Sequence, residues 1–174
     1  LNIRVNVPAV LRRKETLGTR RSFKGESQVA AYVRAISCMD LTTLSGADTP
    51  ERVKRLCAKA LMPVDKTILE QLGIGEYPLT VGAVCVYHTM VETAVEALGG
   101  RIPVAAVSTG FAAGQILHST KLEEIDSSVR AGATEIDVVV SRALVHQGNW
   151  RRLYEEVNDF RRVCGRKAKM KTIL

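Results

Sequence analysis

Asp137 carries the sharpest chemical signal in the chain, a carboxylate set between Ile136 and Val138 in a run of β-branched residues. Such a group needs partners, because an unpaired charge in apolar surroundings is costly, and the chemistry it suits is the shuttling of a proton. A structural ion pair is the plainer use of the same residue. Lys171, between Met170 and Thr172, poses a parallel question. A buried lysine loses pKa and becomes an amine nucleophile or the cationic neighbour of one, whereas the basic company of Arg166, Lys167 and Lys169 suits a snorkelling surface lysine. Asp40 is expected at the end of a first strand. Cys85 and Tyr87 share one strand face by the period of two, where core packing is the default for both.

Other chemistries find no support. Gly73 and Gly75 make the sole G-x-G, Pro78 stands where a dinucleotide fingerprint needs its third glycine, and there is no P-loop. His88, His118 and His146 lack the paired spacing of a metal-binding helix and read as surface residues. Cys38, Cys57, Cys85 and Cys164 form no close pair, so they read as small hydrophobes in a reducing, cytoplasmic setting.

The candidate groups can act together only if strands bring them to one place. Past residue 34, short β-rich apolar runs alternate with helical stretches that carry their own start and stop signals. Strands are predicted at 35–41, 81–87, 102–108, 135–140 and 170–174. The first intervening helix has Thr49 as N-cap, Pro50 at its first position, and Val53, Leu56, Cys57 and Ala60 on one face. The second buries Val91, Ala94, Val95 and Leu98 and stops at Gly99-Gly100. A third is expected to open on a capping box of Thr120 and Glu123, to turn Leu122, Ile125 and Val129 inward, and to end near Gly132. The fourth runs from Asn149 to Gly165 with Leu153, Val157 and Phe160 inward. Between 61 and 80, Pro63, Gly73, Gly75 and Pro78 mark a helix-turn insertion.

Strand, helix and strand in alternation mean a parallel sheet, either open and doubly wound or closed as a barrel. In an open sheet Asp40, Asp137 and Lys171 would be pressed against apolar helix faces at a cost of several kcal/mol each. A barrel tolerates them near the rim where ligands and water enter, so a barrel is expected. The alternative, an open-sheet α/β ligand-binding protein, requires Asp137 and Lys171 to be ion-paired rather than to face a common pocket.

With 174 residues, 46% hydrophobic and 25% charged, the chain has the composition of one globular domain with a sizeable core. Its apolar runs, such as 103–107, fall far short of the roughly 20 residues of a membrane span. The net charge of +7 is local: Arg4, Arg12, Arg13, Lys14, Arg20, Arg21 and Lys24 face only Glu15 and Glu26 in the first 30 residues. That pattern fits a solvated leading helix over 1–34. A nucleic-acid arm or a targeting peptide is the alternative, but no aromatic residues are interleaved for base stacking. The chain opens on Leu1 and closes on an apolar run, so both ends read as cut.

Five runs together resemble one family. Met39-Asp40-Leu41-Thr42-Thr43-Leu44, Ala83-Val84-Cys85-Val86-Tyr87, Ser108-Thr109-Gly110-Phe111 with Gly114, Ala133-Thr134-Glu135-Ile136-Asp137-Val138-Val139 and Lys171-Thr172-Ile173-Leu174 occur in order and are similar to deoxyribose-phosphate aldolases. Val7-Pro8-Ala9-Val10-Leu11-Arg12-Arg13 resembles the leader of the animal branch. The resemblance implies a (β/α)8 TIM barrel, here the first five strands and four helices over 35–174. It also implies reversible cleavage of 2-deoxyribose 5-phosphate to acetaldehyde and glyceraldehyde 3-phosphate through a lysine Schiff base. Neither metal nor organic cofactor is implied, and the partner is the phosphosugar, with no nucleic acid or membrane and room for a homo-oligomer.

By that resemblance Asp137 matches the family's proton-relay aspartate and Lys171 the fifth-strand lysine of the active-site polar network. Asp40 and Thr42 match first-strand pocket residues, and Cys85 a second-strand pocket thiol. The Schiff-base lysine belongs to the sixth strand in a Lys-Thr-Ser/Thr-Thr-Gly context that these residues do not contain, so the 174-residue chain alone is expected to be inactive. His88 and Ala112 stand where the family usually has proline, and Ser141 where it often has asparagine.

Overall fold

The computed structural model describes residues 4–20 and 22–174, so Arg21 of the basic leader and residues 1–3 lie outside the described residues. The leader forms helix α1 (Val7–Leu17), whose N-cap Asn6 accepts from the Ala9 amide and which buries no residue, and helix α2 (Glu26–Ser37). The barrel portion then runs β1 (Asp40–Thr42), α3 (Pro50–Leu61), α4 (Lys66–Gln71), β2 (Ala83–Tyr87), a 3₁₀ turn (His88–Met90), α5 (Val91–Leu98), β3 (Val104–Ser108), α6 (His118–Arg130), β4 (Glu135–Val139), α7 (Arg142–His146), α8 (Trp150–Cys164) and β5 (Lys169–Ile173).

Among the described residues the five strands form one all-parallel sheet in sequence order, each paired with the next. A doubly wound sheet reverses its strand order at a switch point; unbroken order is the winding of a barrel, which keeps every crossover helix on one face. The core lies on that face: Val53, Cys57, Val84, Val86, Leu98, Val104, Ala106, Ile125, Ile136, Val138 and Phe160 are all buried in one cluster. The opposite face gathers a second, smaller cluster of Cys85, Ala105 and Val107, with Leu44, Tyr87 and Phe111 against it.

Several boundaries differ from those the sequence predicts, each for a local reason. Residues 35–37 belong to α2, because Ile36 prolongs the helical spacing of Val29 and Val33 and packs on the core. Asp40 therefore begins the first strand rather than ending it. The capping box at Thr120 does not form: the N-cap is Leu117 and α6 opens at His118, which stacks on Phe160 and pairs with Asp159, and this winds the first turn three residues earlier. His118 is thus half-buried rather than a plain surface residue. Helix α7 has no counterpart among the elements the sequence predicts. The caps at Thr49 and Asn149 and the left-handed stop at Gly99 stand where the sequence puts them.

One backbone feature fixes the end of β3. Thr109 is fully buried with φ of 63°, an unusual conformation for a β-branched residue, and its Oγ1 accepts from the Val139 amide at 2.6 Å while donating to the Val139 carbonyl at 2.9 Å. A side chain thus replaces the next rung of the β3–β4 ladder. Beyond it, Gly110 at φ of 77° donates its amide to Glu124 on α6 at 2.9 Å.

Strand β1 has β2 as its only partner and β5 has β4, so two edges carry unpaired amides and carbonyls among the described residues. Produced as residues 1–174, the chain is expected to self-associate and to melt broadly, as read by light scattering and calorimetry. A sharp, reversible melt from a monodisperse monomer contradicts this.

Candidate functional site

Alternation along the strands turns Asp40 and Thr42, Cys85 and Tyr87, Ala105 and Val107, Glu135 and Asp137, and Lys169 and Lys171 onto the concave face, away from the helices. Asp137 and Lys171 are direct neighbours across the β4–β5 pair, with Oδ1 to Nζ at 3.1 Å. Glu135, two residues back on β4, reaches the same Nζ at 2.9 Å, and its other oxygen lies 3.7 Å from Lys169. The fourth member is Asp40, whose Oδ2 accepts a short hydrogen bond from Lys171 Nζ.

That last contact measures the curvature of the sheet. Strands pack about 4.8 Å apart, so β1 and β5 would stand roughly 19 Å apart in a flat sheet, far beyond the reach of a lysine and an aspartate. The pair closes because the sheet curls, as an arc of a barrel does.

The electrostatics follow from three carboxylates around one ammonium. Burial alone would pull the Lys171 pKa down, but its ion pairs with Asp40, Glu135 and Asp137 outweigh burial and raise it above the ordinary lysine value. The amine is held as a cation, opposite to the lowered pKa expected of a buried lysine. Burial pushes the Asp137 carboxyl up, only partly offset by Lys171, so this aspartate takes a proton more readily than an exposed one. The Cys85 thiol is pushed to about 12 by burial and by the Asp137 charge beside it. It stays protonated, with Sγ 3.8 Å from Asp137 Oδ2. Thr42 Oγ1 donates to the Asp40 carbonyl at 2.9 Å, and Tyr87 meets Phe111 edge to face at 6.1 Å above this group.

The structure therefore brings Asp40, Thr42, Cys85, Asp137 and Lys171 together on one face, with the Asp137–Lys171 ion pair and the shared concavity coexisting. Sequence reasoning does not single out Glu135 as a site residue, although its period-two relation to Asp137 places both on one face. Lys169, grouped with the basic turn before it, is the first residue of β5. Among the described residues no group of three or more His, Cys, Asp and Glu side chains could hold a metal ion, and no helix is long and apolar enough to cross a membrane.

While its carboxylate partners are ionised, the raised Lys171 pKa gives a stabilising effect that is complete below the unfolded lysine value and is lost as pH rises through the higher folded value. At neutral pH it acts in full. Without the ammonium, Asp40, Glu135 and Asp137 would repel one another wherever they are ionised and not where they are protonated. Lys171→Met is therefore expected to lose about 1 kcal/mol more stability at about pH 8 than at about pH 4, in urea titrations. An equal loss at both values would contradict the electrostatic account.

Residues 34–174 match the DeoC/LacD family of aldolases. A deoxyribose-phosphate aldolase of Bos taurus is 50% identical over 175 residues, covering 99% of this chain and 55% of that protein. Among solved structures, one assigned as a deoxyribose-phosphate aldolase from Coccidioides immitis superposes with a TM-score of 0.66 at 25% identity, over 82% of this chain and 49% of its own. The tetrameric deoxyribose phosphate aldolase of Aeropyrum pernix superposes at 0.57 and 25% identity, over 82% of this chain and 53% of its own. The chain spans about half the length of each.

Proposed function

The chain belongs to the DeoC/LacD aldolase family, and from that premise we propose that it supplies the proton-relay half of a deoxyribose-phosphate aldolase site. The reaction is reversible cleavage of 2-deoxyribose 5-phosphate to acetaldehyde and glyceraldehyde 3-phosphate. In this reading an imine formed with a lysine of the later strands acts as the electron sink for carbon–carbon cleavage, and Asp137 carries protons to and from the reacting carbons. Lys171 stays a fixed cation that holds Asp137, Glu135 and Asp40 in one constellation. Thr42, Asp40 and the neutral Cys85 thiol line the pocket, and neither metal nor organic cofactor takes part. The same reading puts the enzyme in the cytoplasm with room for a homo-oligomer, and takes 1–34 as a leading helical segment and 35–174 as the barrel portion.

The observation that carries the proposal is the Asp137 carboxyl, half-buried on the concave face with its affinity for protons raised, next to an ammonium that cannot itself give up a proton near neutral pH. Those are the properties of a relay, which must accept a proton easily and keep a fixed direction. In the chain extended through the eighth strand, Asp137→Asn is expected to preserve the fold and to lower aldol cleavage by at least about a hundredfold, since positioned acid–base groups contribute 10² to 10⁴ in rate. Near wild-type turnover would refute the assignment.

The nucleophile can be tested separately. Imine formation requires a free amine, and Lys171 is held protonated by three carboxylates. Residues 1–174 alone are therefore expected to trap no acetaldehyde imine on borohydride reduction, whereas the chain extended through the sixth and seventh strands does. A stoichiometric ethyl adduct on Lys171, seen by intact-mass and peptide analysis, would overturn this choice of nucleophile.

A further inference from the structure

Outside the concave face the most complete polar cluster lies between helices. Lys121 on α6 and Glu156 on α8 are 2% and 6% exposed, with Nζ and Oε1 2.9 Å apart. Both reach Ser141, two residues beyond the end of β4. Lys121 Nζ donates to Ser141 Oγ at 2.7 Å, Ser141 Oγ donates to Glu156 Oε1 at 2.6 Å, and the Ser141 amide donates to Glu156 Oε2 at 2.9 Å. Ser141 is the N-cap of α7, yet its hydroxyl makes no cap bond to that helix. Its capping capacity is spent on Glu156 instead.

A buried ion pair is a poor source of stability, because well-packed apolar side chains of similar volume often do as well or better. What an apolar pair could not do here is accept both donors of Ser141. Burial favours the neutral acid at Glu156, but its bonds from Ser141 and Lys121 outweigh burial and keep the carboxyl below its ordinary range. The residue just before this anchor point is Val140, and Val139 is held by the Thr109 hydroxyl. Asp137 lies two residues further back on the concave side of the same strand.

We propose that Glu156, held in place by Lys121, is a positioning residue that clamps the end of β4 through Ser141 and so fixes the Asp137 carboxyl for its part in aldol cleavage. This rests on the function proposed above and adds to it a component on the far side of the sheet. It also accounts for the serine at 141: a hydroxyl short enough to sit between an ammonium and a carboxylate, with its own amide aimed at the second carboxylate oxygen.

The test compares two double variants, both without the buried charges, in the chain extended through the eighth strand. Lys121→Met with Glu156→Gln keeps an acceptor for the Ser141 amide and a donor for its hydroxyl. Lys121→Met with Glu156→Leu removes both. The first is expected to hold kcat within about threefold of wild type, and the second to lower it by at least about tenfold with KM little changed, since small misplacements of reacting groups are costly in rate. Amide exchange at Ser141 should quicken in the second variant only. Should that variant not fold, Ser141→Ala leaves the ion pair in place and is expected to lower kcat without moving KM. Equal kcat in the two double variants, or an unchanged kcat in Ser141→Ala, overturns the proposal. If the wild-type extended chain cleaves no deoxyribose 5-phosphate, the proposed function fails, and amide exchange at Ser141 still decides whether Glu156 clamps the strand: unchanged exchange in the second variant would show that it does not.

Discussion

Lys171 and Asp40 belong to the two outer strands of a five-stranded sheet, and the hydrogen bond between them sets the terms for everything else on the concave face. It forms only if the sheet curls, and the curl in turn requires that one face be crowded with helices and the other carry small or polar residues. The alternation of side chains delivers that asymmetry. Valine and isoleucine at 84, 86, 104, 136 and 138 fill the convex side, while Ala105, Val107 and Cys85 leave room on the concave side for four charged groups. Hydrophobic burial on one face therefore gives the charges on the other their geometry. The charges contribute less to stability than to fixing which groups face one another, because about a third of the Lys171 and Asp40 side chains remains open to water, which screens the pair.

The C-terminal ends of the strands are held by side chains as much as by the ladder. Thr109 bonds both the amide and the carbonyl of Val139, Glu124 holds the Gly110 amide, and Glu156 holds Ser141. Each bond reaches across from a neighbouring element to a strand end or the loop just after it, the places where a parallel sheet runs out of partners and a barrel places its ligand. The left-handed backbone at Thr109 is a local cost borne next to the proposed site, where such costs tend to gather.

How far the sequence shows this depends on whether the signal is local. Strand β4 and the inward aspartate at 137 are legible because a carboxylate among β-branched residues demands a polar partner on the strand's own inner face, and Thr49-Pro50, Asn149 and Gly99 announce helix ends through their own backbone chemistry. The start of β1 is not legible, since Ala35, Ile36 and Ser37 suit a strand as well as a helix, and tertiary packing of Ile36 decides. Nor is the start of α6: Thr120 and Glu123 have the right spacing for a cap, but His118 is drawn in by Phe160 and Asp159, some forty positions away. Glu135 could have been found by extending the period of two by one step. Lys121 and Glu156 could not, since a lysine or glutamate within a charged amphipathic helix looks solvated until the partner helix is in place.

The two titrating groups at the centre of the concave face show why this cluster suits proton transfer better than nucleophilic attack. Burial acts on both in the sense of neutrality, yet the outcomes diverge because the numbers of opposite charges differ. Lys171 meets three carboxylates and is held charged; Asp137 meets one ammonium, shares it with two other acids, and is left easier to protonate. A lysine surrounded in this way cannot offer a lone pair near neutral pH, whereas a carboxyl so placed can gain and lose a proton at modest cost. With the Cys85 thiol kept neutral and Lys171 kept charged, Asp137 is left as a carboxyl whose hold on a proton is strengthened by burial, and a proton relay needs a group that takes up a proton readily.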